Sequence, residues 1–380
     1  MVYFDYAATT PVDPECLKIY AQVSEDYWGN TSSLHDTGGK AQLLLENCRK
    51  RLGGALGVPP QGISFTSGGT EGNHLALLSL AFSYKRKGRH IIISGAEHSS
   101  LHSAAAFLER EGFMITKVPF TSEGLIDLNA LEEAITDQTT VVSVSHVNGE
   151  IGSIQPLHDI KKLLHAKDIL FHSDMVQSFG KLDSKEAASI VDSLTISSHK
   201  IYGPKGVGAV YFHPRSDIRP YMPHQTHEHG FRGGTVNLPG IAGLTAAALK
   251  VKAQDELDHY AGLRNHFFKV LESSSETPFT VYGAPDARQL PHIIGMRING
   301  VEGQWLMLEC NRRGIHLSTG SACQTGKHSI SKTLGAMGLG ERAGKEFVRI
   351  SLGRDTTRGH IEQLAEVLSQ IRHDSVHLLT

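Results

Sequence analysis

A lysine, an aspartate and a run of small residues in this chain each stand just past or at the end of an apolar segment, where a folded strand would deliver them to one edge of a sheet. The lysine is Lys200, which follows the run Ser193–Ser198 and His199 and precedes the turn-forming Ile201-Tyr202-Gly203-Pro204-Lys205-Gly206. A lysine inside a protein is costly unless it is paired or bonded covalently. Desolvation and neighbouring cations lower the pKa of an amine, which is what a Schiff-base lysine requires. The aspartate, Asp174, ends His172-Ser173-Asp174, and Gln177 follows one turn later. A carboxylate there either caps a helix or keeps a pyridine nitrogen protonated, and the second use makes the ring an electron sink. Ser67-Gly68-Gly69-Thr70 opens a helical pattern, so it offers an ordinary N-cap or a phosphate cradle of free N–H groups.

The fourth candidate is Cys323. Its segment, Ser318-Thr319-Gly320-Ser321-Ala322-Cys323-Gln324-Thr325-Gly326, has no large apolar anchor after Leu317 and is expected to be exposed and able to swing. A free thiol titrates near about 8.5, so a nucleophilic role needs help from cations such as Lys327 or His328. Cys16, Cys48 and Cys310 lie in helix-like or strand-like contexts and read as small buried hydrophobes. The four cysteines show no CxxC spacing, which speaks against a zinc ribbon or disulfide framework and for a reducing cytoplasm. Met1 to Pro14 has no basic or apolar leader features, and no run of about eighteen apolar residues follows, so neither export nor membrane spanning is expected. A formal net charge of -2 over 380 residues calls for no nucleic-acid partner.

The elements that must position these residues follow from the apolar pattern. Ile63–Thr66, His90–Ser94, Thr140–His146, Ile169–Asp174, Ser193–Ser198 and Gly208–Phe212 read as short strands buried on both faces, alternating with helical stretches. That alternation predicts an α/β fold with a mostly parallel central sheet, whose ligands bind at the carboxyl ends of the strands. Leu244–Tyr260 reads as one long helix linking this sheet to a second unit. We expect a large domain over residues 14–257 and a smaller α+β domain built from residues 1–13 and 258–380, which carries the Cys323 segment.

Other patterns lead nowhere. No Gly-x-Gly-x-x-Gly opens a helix after the first strand, which excludes a Rossmann dehydrogenase. Gly320 to Lys327 fails as a P-loop, because five residues separate its glycines and His328 follows the lysine. His224, His227 and His229 could ligate a metal, but a chain with 22 histidines clusters them by chance, and no metal is expected.

Taken together, Asp5-Tyr6-Ala7-Ala8-Thr9-Thr10-Pro11, Thr66-Ser67-Gly68-Gly69-Thr70-Glu71, Glu97-His98, Glu150-Ile151-Gly152, His172-Ser173-Asp174, Ser198-His199-Lys200-Ile201-Tyr202-Gly203-Pro204-Lys205-Gly206, Ser321-Ala322-Cys323 and Ser351-Leu352-Gly353-Arg354 resemble the NifS/IscS cysteine desulfurases. The resemblance spans nearly the whole chain, in order. It implies a homodimer of PLP fold type I that uses pyridoxal 5'-phosphate to convert L-cysteine to L-alanine, leaving the sulfur on Cys323 for a protein acceptor such as an iron–sulfur scaffold or a dedicated iron–sulfur enzyme. It implies that Lys200 holds the cofactor, Asp174 pairs with the pyridine nitrogen, Gln177 reaches the ring hydroxyl, and His98 stacks on the ring and takes part in proton transfer. Gly69, Thr70, Ser197 and His199 are implied to hold the phosphate, joined by Thr235 of the partner subunit, and Arg354 to clamp the substrate carboxylate. Where the family has Asn-Asn-Glu this chain has Asn148-Gly149-Glu150, which leaves Asn148 as the candidate on the substrate side. His224-Gln225-Thr226 replaces a glycine run before Glu228, so a divergent subgroup is expected. The rival readings are a selenocysteine lyase or aminotransferase of the same fold, which would not need Cys323, and a catalytically weakened sulfur-relay partner.

Overall fold

The computed structural model describes residues 1–165, 167–251, 253–273, 277–320 and 331–377. Its strands, in chain order, are β1 (Val2–Tyr3), β2 (Ile63–Thr66), β3 (His90–Ser94), β4 (Met114–Val118), β5 (Thr139–Ser143), β6 (Leu170–Asp174), β7 (Ser193–Ser197), β8 (Gly208–Phe212), β9 (Phe279–Tyr282), β10 (Ile293–Ile298), β11 (Ile315–His316) and β12 (Phe347–Ser351). Seven of them form one sheet in the order β2-β8-β7-β6-β5-β3-β4. Only β8 runs against its neighbours, and the rest pair in parallel from β7 to β4. β3, β5, β6 and β7 are buried along their whole length, as expected for strands covered by helices on both faces. One apolar layer includes Phe65, Val142, Phe171 and Ile196, the other Leu77, Ile91, Leu108 and Val210.

Three expectations need correction. β4 was not anticipated: it is an edge strand whose Met114-Ile115-Thr116-Lys117-Val118 is half exposed and carries no clean alternation. β5 ends at Ser143 and not at His146, because the next residues turn away to bond other strand ends, with Ser145 N–H donating to Glu97 and His146 N–H to the Asp174 carbonyl. The single linking helix is two, Leu238–Leu249 and Ala253–Ser273. The first stops at Lys250, whose ammonium is held 2.8 Å from both Asp13 carboxylate oxygens and 3.0 Å from Glu15.

A second core gathers Tyr260, Phe267 and Leu271, strands β10 and β12, and the final helix Arg358–His377. β9, β10 and β12 form an antiparallel sheet. β1 joins the same region by pairing in parallel with β11, so the N-terminus starts in this second core and then crosses toward the large sheet. Among the described residues no helix is long and apolar enough to cross a membrane.

Two buried polar ties hold the frame. At the β2 edge, Glu228 accepts from Phe65 N–H at 2.7 Å and meets the Arg49 guanidinium in a two-pronged pair at 2.7 and 3.0 Å, and Arg49 also donates to the Ile63 carbonyl. The pair caps an edge that would otherwise leave its N–H groups unpaired. Glu228 and His229 both adopt positive φ, 50° and 57°, a conformation that bulky residues reach only when the surroundings enforce it. At the carboxyl ends of β3 and β5, Glu97 is 2% exposed and accepts from Ser94 Oγ at 2.6 Å, from Ser145 N–H at 2.8 Å and from the Ser145 hydroxyl. Burial raises its pKa from 4.5 to about 7, against the pull of those donors.

The folded state therefore favours the protonated form of Glu97. The stability gained from this is complete below the unfolded value near 4.5 and is lost as the pH rises through about 7. Urea unfolding of wild type and Glu97→Gln across this range should show a stability gap that moves in favour of the variant by up to about 1.4 kcal/mol per pH unit and levels off above the window. Parallel pH profiles for the two proteins would contradict this.

Candidate active site

The carboxyl ends of β6 and β7 and the start of the helix Gly69–Tyr84 meet at one place. β6 ends in Asp174, which is buried; its Oδ2 accepts from Asn73 Nδ2 at 2.7 Å and its Oδ1 from Val176 N–H at 2.9 Å. Asn73 lies on the Gly69–Tyr84 helix, so the helix and the strand end fix each other. That helix begins after Gly68, at φ 151°, with no side chain capping it. Its first N–H groups are thus available to an anion. Ser197, the last residue of β7, is 2% exposed and its hydroxyl has no protein partner. A Cβ built on Gly68 would lie 3.9 Å from that oxygen, which places the hydroxyl against the open helix start. Thr70, in the first turn, is exposed on the same loop.

Lys200 closes the short turn Ser198–Lys200 after β7. Its ammonium nitrogen donates to the Ala7 and Ala8 carbonyls at 2.5 and 2.7 Å. The segment that supplies these carbonyls is tied to the second core, with Ala7 N–H on Ser351 Oγ at 2.9 Å and Asp5 on Arg349 at 2.7 Å. Lys200 also borders a cavity of about 20 Å³, room for about one water, together with Lys181, His292 and Arg354. Tyr202, at φ 64°, is held by its N–H on Thr10 Oγ1 at 2.9 Å. Its ring lies 4.1 Å under the Arg354 guanidinium, and its hydroxyl accepts from Arg354 N–H at 2.8 Å. Arg354 is further held by Asp13 at 3.2 Å.

His98 caps the helix Ser99–Arg110 and its ring is exposed beside this site. The enclosing protein lowers its pKa, the Asp174 charge opposes that shift and Lys200 adds to it. His199 sets Nδ1 3.1 Å from Thr9 Oγ1, and burial, helped by Lys200, Lys205 and Lys181, lowers its pKa to about 4. Gln177 uses both ends of its amide inside the chain, Nε2 on the Ala7 carbonyl at 2.9 Å and Oε1 on Lys181 Nζ at 2.8 Å. Thr235 is exposed, next to Gly234, which lines a surface pocket together with Ser67 and Thr70.

Asn148, the candidate on the substrate side, is tied into the chain by its amide. It is 4% exposed; its Oδ1 accepts from Glu150 and Ile151 N–H at 2.9 and 3.1 Å, and its Nδ2 donates to Thr333 Oγ1 at 3.0 Å. All of its polar atoms are thereby used to shape the turn. Gly149 next to it leaves room for Gln177, whose Nε2 would lie 3.3 Å from a Cβ at that position. Cys323 lies outside the described residues. The chain on either side of its segment meets at Glu150: Gly320 packs against its carboxylate, and the Ser331 hydroxyl donates to it. His227 is engaged by Ser32 at 2.9 Å and Thr226 at 3.0 Å, and among the described residues no three metal-ligating side chains converge.

Sequence reasoning missed Lys181 and Asn73. Lys181 looks like any polar residue after a glycine, yet burial, with Lys200 and Arg349 pushing the same way, lowers its pKa to about 7. Asn73 sits one turn into a helix, where only its i+3 distance from Thr70 hinted that it faces the same site.

This donor set fits a phosphorylated pyridine aldehyde. The open helix start and the unpartnered Ser197 hydroxyl suit a phosphate, Asp174 suits a protonated ring nitrogen, and Lys200 is the amine for the aldehyde.

The family model for class-V aminotransferases matches residues 2–364. The putative cysteine desulfurase NifS of Bacillus subtilis (strain 168) is 46% identical over 366 residues, 96% of this chain and 93% of that protein. The cysteine desulfurase IscS of Dictyoglomus turgidum is 35% identical over 372 residues, covering 97% and 94% of the two chains. Among solved structures, a NifS-like protein aligns with a TM-score of 0.88 at 31% identity over 97% of this chain and 98% of its own. SspA in complex with cysteine aligns with a TM-score of 0.81 at 33% identity over 93% and 99%. The α/β architecture with its mostly parallel sheet is that of fold type I, and the chain belongs to the class-V aminotransferase family, within its NifS/IscS cysteine desulfurase branch.

Proposed function

We propose that this protein is a pyridoxal-phosphate-dependent cysteine desulfurase that converts L-cysteine to L-alanine and passes the sulfur through Cys323 to a protein acceptor. The observation that carries the reading is the meeting of Lys200, Asp174 and the unpartnered Ser197 hydroxyl with the uncapped start of Gly69–Tyr84. The names of the similar proteins support it. In this reading the protein is a homodimer in which Thr235 of the partner subunit completes the phosphate site. The unpaired Cys16, Cys48 and Cys310 suit a cytoplasmic protein. The second core, built from Val2, Phe4 and residues between Tyr260 and Ile371, supports a small domain of residues 1–13 and 258–380 beside a large one, residues 14–257, whose own core also takes in Tyr282, Leu334, Met337, Ala343 and Phe347.

When bound, pyridoxal phosphate supplies an electron sink for bonds at the substrate α-carbon. In this reading Gly69, Thr70, Ser197 and His199 hold its phosphate, Asp174 its ring nitrogen, Gln177 its ring hydroxyl and His98 its face. Arg354 binds the substrate carboxylate with its planar fork, and the incoming anion competes with Asp13 for it. Lys200 is the amine that would accept the proton from the substrate α-carbon. Cys323, as thiolate, attacks the substrate sulfur; the S–S bond forms as the Cβ–S bond breaks, and the enzyme keeps the sulfur as a persulfide.

Lys200→Ala should fold normally, lose the visible absorption band of the cofactor-loaded protein, and lose all but a trace of alanine production. Wild-type turnover by this variant would sink the assignment. Cys323→Ser should keep the band and its spectral change on adding cysteine, while mass spectrometry finds no persulfide and no sulfide is released. Alanine and sulfide produced at the wild-type rate would rule out Cys323 as the acceptor.

A further inference from the structure

The side chains behind His98 form a chain of hydrogen bonds anchored on a carboxylate. As a carboxylate, Asp174 can only accept. The Asn73 atom 2.7 Å from its Oδ2 is therefore the amide nitrogen, and the amide oxygen faces His172 Nε2 at 3.4 Å. His172 then carries its proton on Nε2 and accepts at Nδ1 from Ser193 Oγ, 3.2 Å away. The second Asn73 N–H points to Ser100 Oγ at 3.0 Å. Because that oxygen accepts from Asn73, its single proton is free to go to His98 Nδ1, 2.8 Å away. The Ser100 backbone N–H donates to the same nitrogen at 3.3 Å. Two donors thus converge on Nδ1, and the proton of a neutral ring belongs on Nε2. Asn73, Ser100 and His172 are 1%, 3% and 0% exposed, so water does not compete for the bonds among them.

Resting on the reading of this site given above, we propose that Asn73 and Ser100 are positioning residues that lock His98 as its Nε2–H tautomer. The exposed side of the ring then presents a hydrogen-bond donor. Its Nε2 has no lone pair to take a proton, which leaves the base role to Lys200. The lowered pKa of His98 keeps the ring neutral, as this arrangement needs, and Lys332 and His74 act in the same sense as Lys200 against the Asp174 charge.

The full-length protein, with histidine ring nitrogens labelled with ¹⁵N, tests this by two-bond proton–nitrogen spectra near neutral pH, with His98 identified as the signal missing in His98→Gln. The expected result is a neutral Nε2–H ring in both cofactor-loaded and cofactor-free wild type. Ser100→Ala should move the Nδ1 resonance toward the protonated range as the Nδ1–H form becomes populated, and Ser100→Thr should restore the wild-type position. If Ser100→Ala does not fold, Asn73→Leu is the second variant, with the same shift expected. A wild-type His98 protonated on Nδ1, or a tautomer ratio unchanged in the folded variant, overturns the proposal. The cofactor-free spectra keep the result independent of cofactor binding: a protein that never forms the visible band defeats the functional reading and leaves the tautomer measurable.

Discussion

The structure depends on a carboxylate that cannot donate. Asp174 stands at the end of a strand buried on both faces, and leaving such a charge without donors would cost several kcal/mol. Its donors are Asn73 and the Val176 backbone, and satisfying it fixes the start of Gly69–Tyr84 against β6. From there the order spreads in two directions. Toward β7, the helix start faces the Ser197 hydroxyl, three residues before Lys200. Toward β3, Asn73 and Ser100 orient His98.

The second core matters to the site through a thread. The N-terminal strand pairs with β11, and the residues after it carry the Ala7 and Ala8 carbonyls to the Lys200 ammonium. Gln177 reads the same segment, and Arg349 reaches from β12 to both Asp5 and the Gly149 carbonyl. Lys181, Lys200 and Arg354 are thus gathered around a small cavity, Arg349 adds its charge to theirs at Lys181, and backbone carbonyls, Glu256 and Asp13 answer part of it. Such crowding, added to burial, disfavours the extra proton on Lys181.

The sheet was legible because its strands are short, apolar and buried on both faces, so the pattern alone carried β2, β3, β6, β7 and β8 to within a residue or two. The break between Leu249 and Ala253 was not, because no glycine or proline marks it; Lys250 is drawn to Asp13, 237 residues earlier in the chain. The contacts of Asn148 were not legible for a related reason. Its amide is taken by Thr333, 185 residues later, and nothing near it in sequence announces that partner. The residues at the strand ends were legible as a set because they recur in a family pattern, whereas Asn73 and Lys181 act through contacts that no motif spells out.

That Lys200, and not the neighbouring Lys181, holds the cofactor is the central claim, and both amines border the same cavity. Borohydride reduction of the cofactor-loaded protein followed by peptide mapping tests it most directly, since reduction fixes the cofactor to whichever lysine bears it. The account predicts one modified peptide, carrying the label on Lys200. Label on Lys181 or Lys205, or no labelled lysine in a protein that shows the visible band, would contradict it.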